Sequence, residues 1–166
     1  ENQSCLADGE EIDGHLDIVD SLDYEAELAV IIGKDARNVK PEEVFEYVFG
    51  YTILNDMSAR NYRPRISSGI SAKSLDDFTP IGPWIVTKDE FKNPPALPIR
   101  SYVNGELRQD SNTELMINGI EKVICELTQG MTLQAGTIIA MGTPAGLAWA
   151  LSRPSFEKGR HRKMRD

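Results

Sequence analysis

At 166 residues with 40% hydrophobic side chains, the chain is one domain's worth of sequence with enough apolar residues for a core. Its 26 acidic against 18 basic residues leave a formal charge of −8, which argues against a nucleic-acid or anionic-membrane surface, the basic last eight residues being a local exception. No apolar run reaches the length of a membrane span, no secretory-type leader is read, and two distant cysteines, Cys5 and Cys125, suggest neither a disulfide framework nor a metal knuckle; a reducing cytoplasm is therefore expected.

Residues 1–22 are polar and rich in Gly and Asp, and they open without Met in what reads as a loop, so a portion before them is expected to be missing. A short apolar alternation around Leu16, Ile18 and Val19 predicts a strand. Residues 22–32 read as a second strand ending at Gly33, with Glu25 and Glu27 running into an apolar, β-branched stretch. Alternate residues on a strand share a face, so both carboxylates would point to the interior side of a sheet. Two buried like charges either rise in pKa or require a cation, so the pair asks for a divalent metal. The alternative is an edge strand whose Glu side chains face water. Pro41 followed by Glu42 and Glu43 is a helix-start signal, and that short amphipathic helix is expected to close at Gly50. Residues 51–54 predict a strand that delivers Asn55 and Asp56 where the chain leaves the sheet.

Residues 61–71, rich in Arg, Ser, Pro and Gly, read as a loop. A turn and a strand follow over 80–87, and Pro94-Pro95 marks a connection. Residues 97–103 and 106–109 flank Asn104-Gly105, a dipeptide suited to a type I′ turn because both residues tolerate positive φ, which predicts a hairpin. Asn112 or Thr113 can cap a helix running through Leu127, with Met116, Ile120, Val123, Ile124 and Leu127 at helical spacing and Gly130 ending it. Residues 137–141 read as a buried strand leading into Gly142-Thr143-Pro144-Ala145-Gly146, a turn able to present N–H groups to an anion. Several strands, two short helices and no internal repeat predict a mostly β, α+β single domain.

The pieces match one family together. The chain resembles the C-terminal domain of the fumarylacetoacetate hydrolase family through DYEAELAVIIGK at 23–34, GYTILNDMSAR at 50–60, AKSLDDFTPIGPWIV at 72–86, VNGELRQDSNT at 103–113, QGMTL at 129–133 and GTPAG at 142–146. The resemblance implies a β-roll with short helices over a single domain at 1–166, a divalent metal, a homodimer, and chemistry beside the carbonyl groups of small 2-oxo or dioxo acids. Carried over by motif, it makes Glu25, Glu27 and Asp56 the metal carboxylates and Lys73 the catalytic ammonium near the metal-bound substrate. Thr143, with the Gly142 backbone, becomes the contact for a substrate carboxylate or carbonyl; Arg60, which closes NDMSAR, either joins them or braces the carboxylates.

The chemistry agrees with that assignment. Three carboxylates suit Mg²⁺ or Mn²⁺ and leave coordination positions open for water and a bidentate 2-oxo acid. Lys73 adds positive charge where oxyanion charge develops. Taken singly, Lys73 reads as a surface lysine, Asp56 as a strand-end cap and 142–146 as an ordinary turn. The expected activity is hydrolysis of a C–C bond in an acylpyruvate- or fumarylacetoacetate-type substrate. Decarboxylation of a 2-oxo diacid and isomerisation of 2-hydroxyhepta-2,4-diene-1,7-dioate use the same metal shell, and a non-catalytic metal- or ligand-binding fragment is the competing class. Family enzymes usually carry a His, often with a Glu, on an upstream segment; His15 and His161 match no such motif, so neither is assigned to catalysis. For a homodimer the sequence itself offers only Trp84 and its flanking apolar residues.

Two stretches depart from the family pattern. Residues 61–71 keep its length but replace an Asp-Leu-Gln-like start and a His-Gln-Gln-Trp-like segment, and as written Arg63 stands in place of a substrate-facing Gln. Available codons for 60–63 and 66–69, read in a shifted frame, yield Glu-Leu-Gln and His-Gln-Gln-Trp, and similar shifts after Gly146 and Gly159 restore a family-like final strand. The hypothesis is therefore a frame-shifted reading of 61–71 and of the atypical tail at 147–166, against a divergent loop and a basic, disordered tail. Coding DNA or peptide mass spectra that match the residues as written would refute it.

Overall fold

The computed structural model describes residues 4–61 and 69–148. The shifted-frame readings, with Arg63 and His161, fall largely or wholly outside the described residues. Seven residues with no exposed position make β3 (Ala26–Ile32) a strand covered on both faces. It pairs antiparallel with β4 (Val48–Asn55) on one side and with β9 (Ile138–Ala140) on the other. Beyond β4 lies antiparallel β6 (Thr79–Thr87), and β1 (Cys5–Ala7) runs parallel to β6 at the sheet's edge. The resulting order is β1-β6-β4-β3-β9. The predicted strand over 22–32 is in fact two: β2 (Leu22–Asp23) pairs with β5 (Ser58–Ala59) in a separate ribbon, and the chain breaks at Tyr24 and Glu25 before β3 begins.

The hairpin β7 (Pro98–Val103) and β8 (Glu106–Asn112) forms where Asn104-Gly105 predicted it, with φ of 54° and 80° at the two turn residues. Its second strand is longer than expected and runs through Asn112. Asn112 does act as a cap, accepting from the Glu114 N–H, but it opens only a short 3₁₀ turn. The helix predicted from there begins later, as α2 (Ile120–Gly130), because Asn118-Gly119 interrupts the run; Ile120 and Ile124 then keep their helical spacing on the buried face. The Pro41 signal yields a 3₁₀ turn and α1 (Val44–Tyr47).

Gly50 does not close a helix. It sits inside β4, where an added Cβ would lie 2.3 Å from the Val86 carbonyl oxygen on β6, so glycine there serves close strand approach. The alternation at 16–19 makes a turn rather than a strand, with His15 at φ 47° and Val19 buried. One core joins Leu28, Val30 and Ile32 of β3 to Val44, Val48, Tyr51, Ile120 and Ile124. A second gathers Val19, Leu22, Tyr24, Met57, Phe78 and Ala148 under the β2–β5 ribbon. At roughly 1.5–3 kcal/mol per fully buried apolar side chain, these two clusters supply the main stabilisation around the acidic residues described next. Among the described residues, the fold is mostly strands with a curled mixed sheet and two short helices.

Candidate metal centre

Register brings the acidic residues together. Ala26 pairs with Asn55 across β3 and β4, so the residues just outside that pair, Glu25 and Asp56, meet at the mouth of the sheet. The Asn55 side chain accepts from the Glu25 N–H at 3.0 Å, and the Asp56 N–H donates to the Glu25 carbonyl at 2.9 Å, which ties the two strand ends together. One carboxylate oxygen from each of Glu25, Glu27 and Asp56 lies within 4.8 Å of the others. Glu25 and Glu27 are 7% and 3% exposed, which rules out the water-facing edge strand.

Buried carboxylates need compensation, and two cations provide part of it. Lys73 donates to Glu25 Oε2 at 2.9 Å and to Asp56 Oδ2. Arg60 donates from Nη2 to Glu25 Oε1 at 2.6 Å and from Nε to Asp23 Oδ2 at 3.1 Å, so it braces the carboxylates. Ser58 Oγ adds a third donor to Glu25 at 3.1 Å. Among the described residues, Glu25, Glu27 and Asp56 set three carboxylates against the Lys73 ammonium and the Arg60 guanidinium, the latter shared with Asp23, an excess of negative charge that a divalent ion would offset. Hard oxygen donors at this spacing fit Mg²⁺ or Mn²⁺.

The imbalance falls on Glu27. Burial pushes its carboxyl up to about 7, against the opposing pull of the Gly142 N–H, and the charges of Asp56 and Glu25 push the same way as burial. Asp56 is also raised by burial, despite Lys73 at its side. Burial by itself would lower the Lys73 ammonium, but its hydrogen bonds to Asp56 and Glu25 outweigh that and hold it above the usual lysine value.

The GTPAG turn closes the same cluster. Gly142, at φ 91°, donates its N–H to Glu27 Oε2 at 2.6 Å. The Thr143 hydroxyl donates to the Ala26 carbonyl at 3.0 Å. Tyr24 Oη donates to the Gly146 carbonyl at 2.7 Å, and the Ala148 N–H donates to Asp23 Oδ1 at 3.0 Å. Gly146, at φ 114°, leaves no room for a side chain, since a Cβ would come within 2.1 Å of the Arg108 carbonyl. All seven residues singled out from the sequence therefore lie in one neighbourhood. The Gly142 N–H is turned onto Glu27, which differs from the free donor that the turn motif suggests. Asp23, Ser58, Tyr24 and Gln109 join the site without having been singled out. Each stood inside a quoted motif, but only the tertiary contacts show that its polar group is buried and pointed at the cluster. His15 is engaged elsewhere, with Nε2 3.1 Å from the Asp76 carbonyl and its ring edge-on to Phe78.

Comparison with known proteins places this geometry in a family context. A family model described as fumarylacetoacetate (FAA) hydrolase C-terminal matches residues 1–165. The oxaloacetate tautomerase YisK of Bacillus subtilis (strain 168) is 43% identical over 148 residues, 89% of this chain and 49% of that protein. Among solved structures, the fumarylacetoacetate hydrolase from psychrophilic Exiguobacterium antarcticum superposes with a TM-score of 0.87 at 43% identity, covering 92% of this chain and 55% of that one. The maleylpyruvate hydrolase from Sphingobium sp. SYK-6, in complex with manganese(II) and pyruvate, gives 0.76 at 35% identity, over 87% and 52% respectively. The chain spans about half the length of the relatives it matches.

Proposed function

The chain belongs to the fumarylacetoacetate hydrolase family, and from that premise we propose that it is the catalytic domain of a divalent-metal-dependent enzyme hydrolysing a C–C bond in small 2-oxo or dioxo acids of the acylpyruvate or fumarylacetoacetate type. The observation that carries the reading is the convergence of Glu25, Glu27 and Asp56 on one point. These three residues would hold Mg²⁺ or Mn²⁺; the maleylpyruvate hydrolase relative, described with manganese(II) and pyruvate, supports the choice of ion and of ligand class. A divalent ion there would act as a Lewis acid on the carbonyl of a 2-oxo acid.

The remaining work falls to side chains. Arg60 and Ser58 fix the Glu25 carboxylate, and Asp23 fixes Arg60, so Glu25 is oriented before any ligand arrives. Lys73 keeps a positive charge beside Glu25 and Asp56, where it would stabilise oxyanion charge on the substrate. The turn at 142–146 would receive the substrate carboxylate. A second reading, keto–enol interconversion of a 2-oxo diacid, is favoured by the relative named as an oxaloacetate tautomerase and needs the same ion and the same Lys73. We also propose that the functional form is a homodimer.

The test uses the full-length protein. Mn²⁺- or Mg²⁺-dependent turnover of an acylpyruvate supports hydrolysis, and turnover of oxaloacetate between its keto and enol forms without cleavage supports the second reading. No turnover of either by metal-loaded protein would favour a binding module. For the ion, Glu25→Gln with Glu27→Gln should abolish Mn²⁺ binding by calorimetry; unchanged affinity refutes the site.

A further inference from the structure

A buried amide reaches the turn that closes the metal centre. Gln109, on β8, has no exposed surface and makes four hydrogen bonds through its side chain. Its Oε1 accepts from the Ala26 N–H at 3.1 Å and from Ser101 Oγ at 2.8 Å. Its Nε2 donates to Thr143 Oγ1 at 2.7 Å and to the Pro144 carbonyl at 2.9 Å. The amide has only one workable orientation, because a main-chain N–H can only donate and a carbonyl can only accept. Ala26 therefore takes the oxygen side and Pro144 the nitrogen side.

That orientation fixes the next proton. The Thr143 hydroxyl must receive an N–H from Gln109, so its own proton goes to the nearby Ala26 carbonyl at 3.0 Å. The hydroxyl is thereby committed to β3 and has no proton left for a ligand carboxylate. The Thr143 main-chain N–H, next to the Gly142 N–H that rests on Glu27, has no hydrogen-bond partner among the described residues.

We propose that Gln109 is a positioning residue for the ligand-binding turn: it locks the Thr143 hydroxyl onto Ala26, so that the turn offers a ligand carboxylate the Thr143 main-chain N–H and not the hydroxyl. The ligand part rests on the metal-dependent reading above; the clamp itself does not. Ser101 anchors the amide from the neighbouring strand, so the turn, β3 and the hairpin share a single polar link. A polar link of this kind sets geometry where apolar packing alone would leave the turn several resting positions.

The test separates the clamp from the metal. In full-length protein, Gln109→Met should weaken pyruvate binding to the Mn²⁺-loaded form about tenfold, as expected for a misplaced hydrogen bond to a charged group. Mn²⁺ affinity itself should stay within about threefold, because Gln109 touches none of the three carboxylates. Thr143→Val should reproduce the loss, Thr143→Ser should restore parental binding, and the Gln109→Met/Thr143→Val pair should be no worse than either single change, since both act through one link. Amide hydrogen exchange reads the clamp without any ligand: protection of the Gly142 N–H should fall in Gln109→Met and in Thr143→Val. Unchanged Gly142 protection in both variants, or losses of pyruvate affinity that add in the double variant, would overturn the proposal. A parent protein that binds no Mn²⁺ would instead count against the metal-centre reading, with the Gly142 exchange still deciding the clamp.

Discussion

Glu27 shows how one residue can bind folding, protonation and ligand uptake together. Its folded-state carboxyl sits at about 7, against an ordinary value of 4.5, because burial outweighs the Gly142 N–H. A raised carboxyl means that the metal-free folded state holds its proton more tightly than the unfolded chain does. The contribution to stability is therefore full below about 4.5 and is lost as pH rises towards 7, on the order of 3 kcal/mol across that window. Urea denaturation of metal-free protein should show stability falling from pH 4.5 to 7 on this account, and Glu27→Gln should flatten the slope. Mn²⁺ affinity should run the other way, rising with pH through the same range because the proton competes with the ion. A Mn²⁺ affinity that is flat between pH 6 and 8 would count against Glu27 as a ligand. Lys73 and Arg60 stand on the other carboxylates, whereas Glu27 rests on the Gly142 N–H.

At the scale of elements, the strand that delivers Asp56 depends on a glycine. β4 and β6 approach so closely at Gly50 that a methyl group would meet the Val86 carbonyl at 2.3 Å and the Thr87 Cα at 3.0 Å, both of them backbone that cannot swing aside. Gly50→Ala should cost about 1–3 kcal/mol of stability, read as a lower urea midpoint. Because β4 also delivers Asp56, the same change should weaken Mn²⁺ binding, whereas Gly105→Ala, in open space at the hairpin tip, should leave Mn²⁺ affinity unaltered while straining the positive-φ turn. From sequence alone this glycine predicts a helix end, and the structure places it inside β4 for a physical reason. A helix C-terminus and a crowded strand both select glycine, one for φ and one for the missing Cβ, and the letter alone does not say which. The hairpin was legible because Asn104-Gly105 carries its own conformational demand. The start of α2 was not, because helical spacing persists through Met116 while the backbone at Asn118-Gly119 does not follow it.

For the whole molecule, apolar side chains remain outside the two cores. Trp84 is 70% exposed on β6, and Ile53 and Phe49 are 60% and 49% exposed on the adjacent β4. Large exposed apolar groups on neighbouring strands favour an association surface. Sedimentation of the full-length protein should give a homodimer, and Trp84→Glu should shift it towards monomer; a monomeric parent would refute the dimer. Among the described residues, no helix is long and apolar enough to cross a membrane. The family, the mostly β architecture and the acidic set Glu25, Glu27 and Asp56 could be read from the sequence by itself, because ordered motifs and local propensities are written along the chain. The break between β2 and β3, the burial of Glu27 beside two further carboxylates and the role of Gln109 were decided by the tertiary structure alone. Register, burial and the direction of a hydrogen bond depend on residues far apart in sequence, and only the folded backbone brings Asp56 to Glu25 and Gln109 to Thr143.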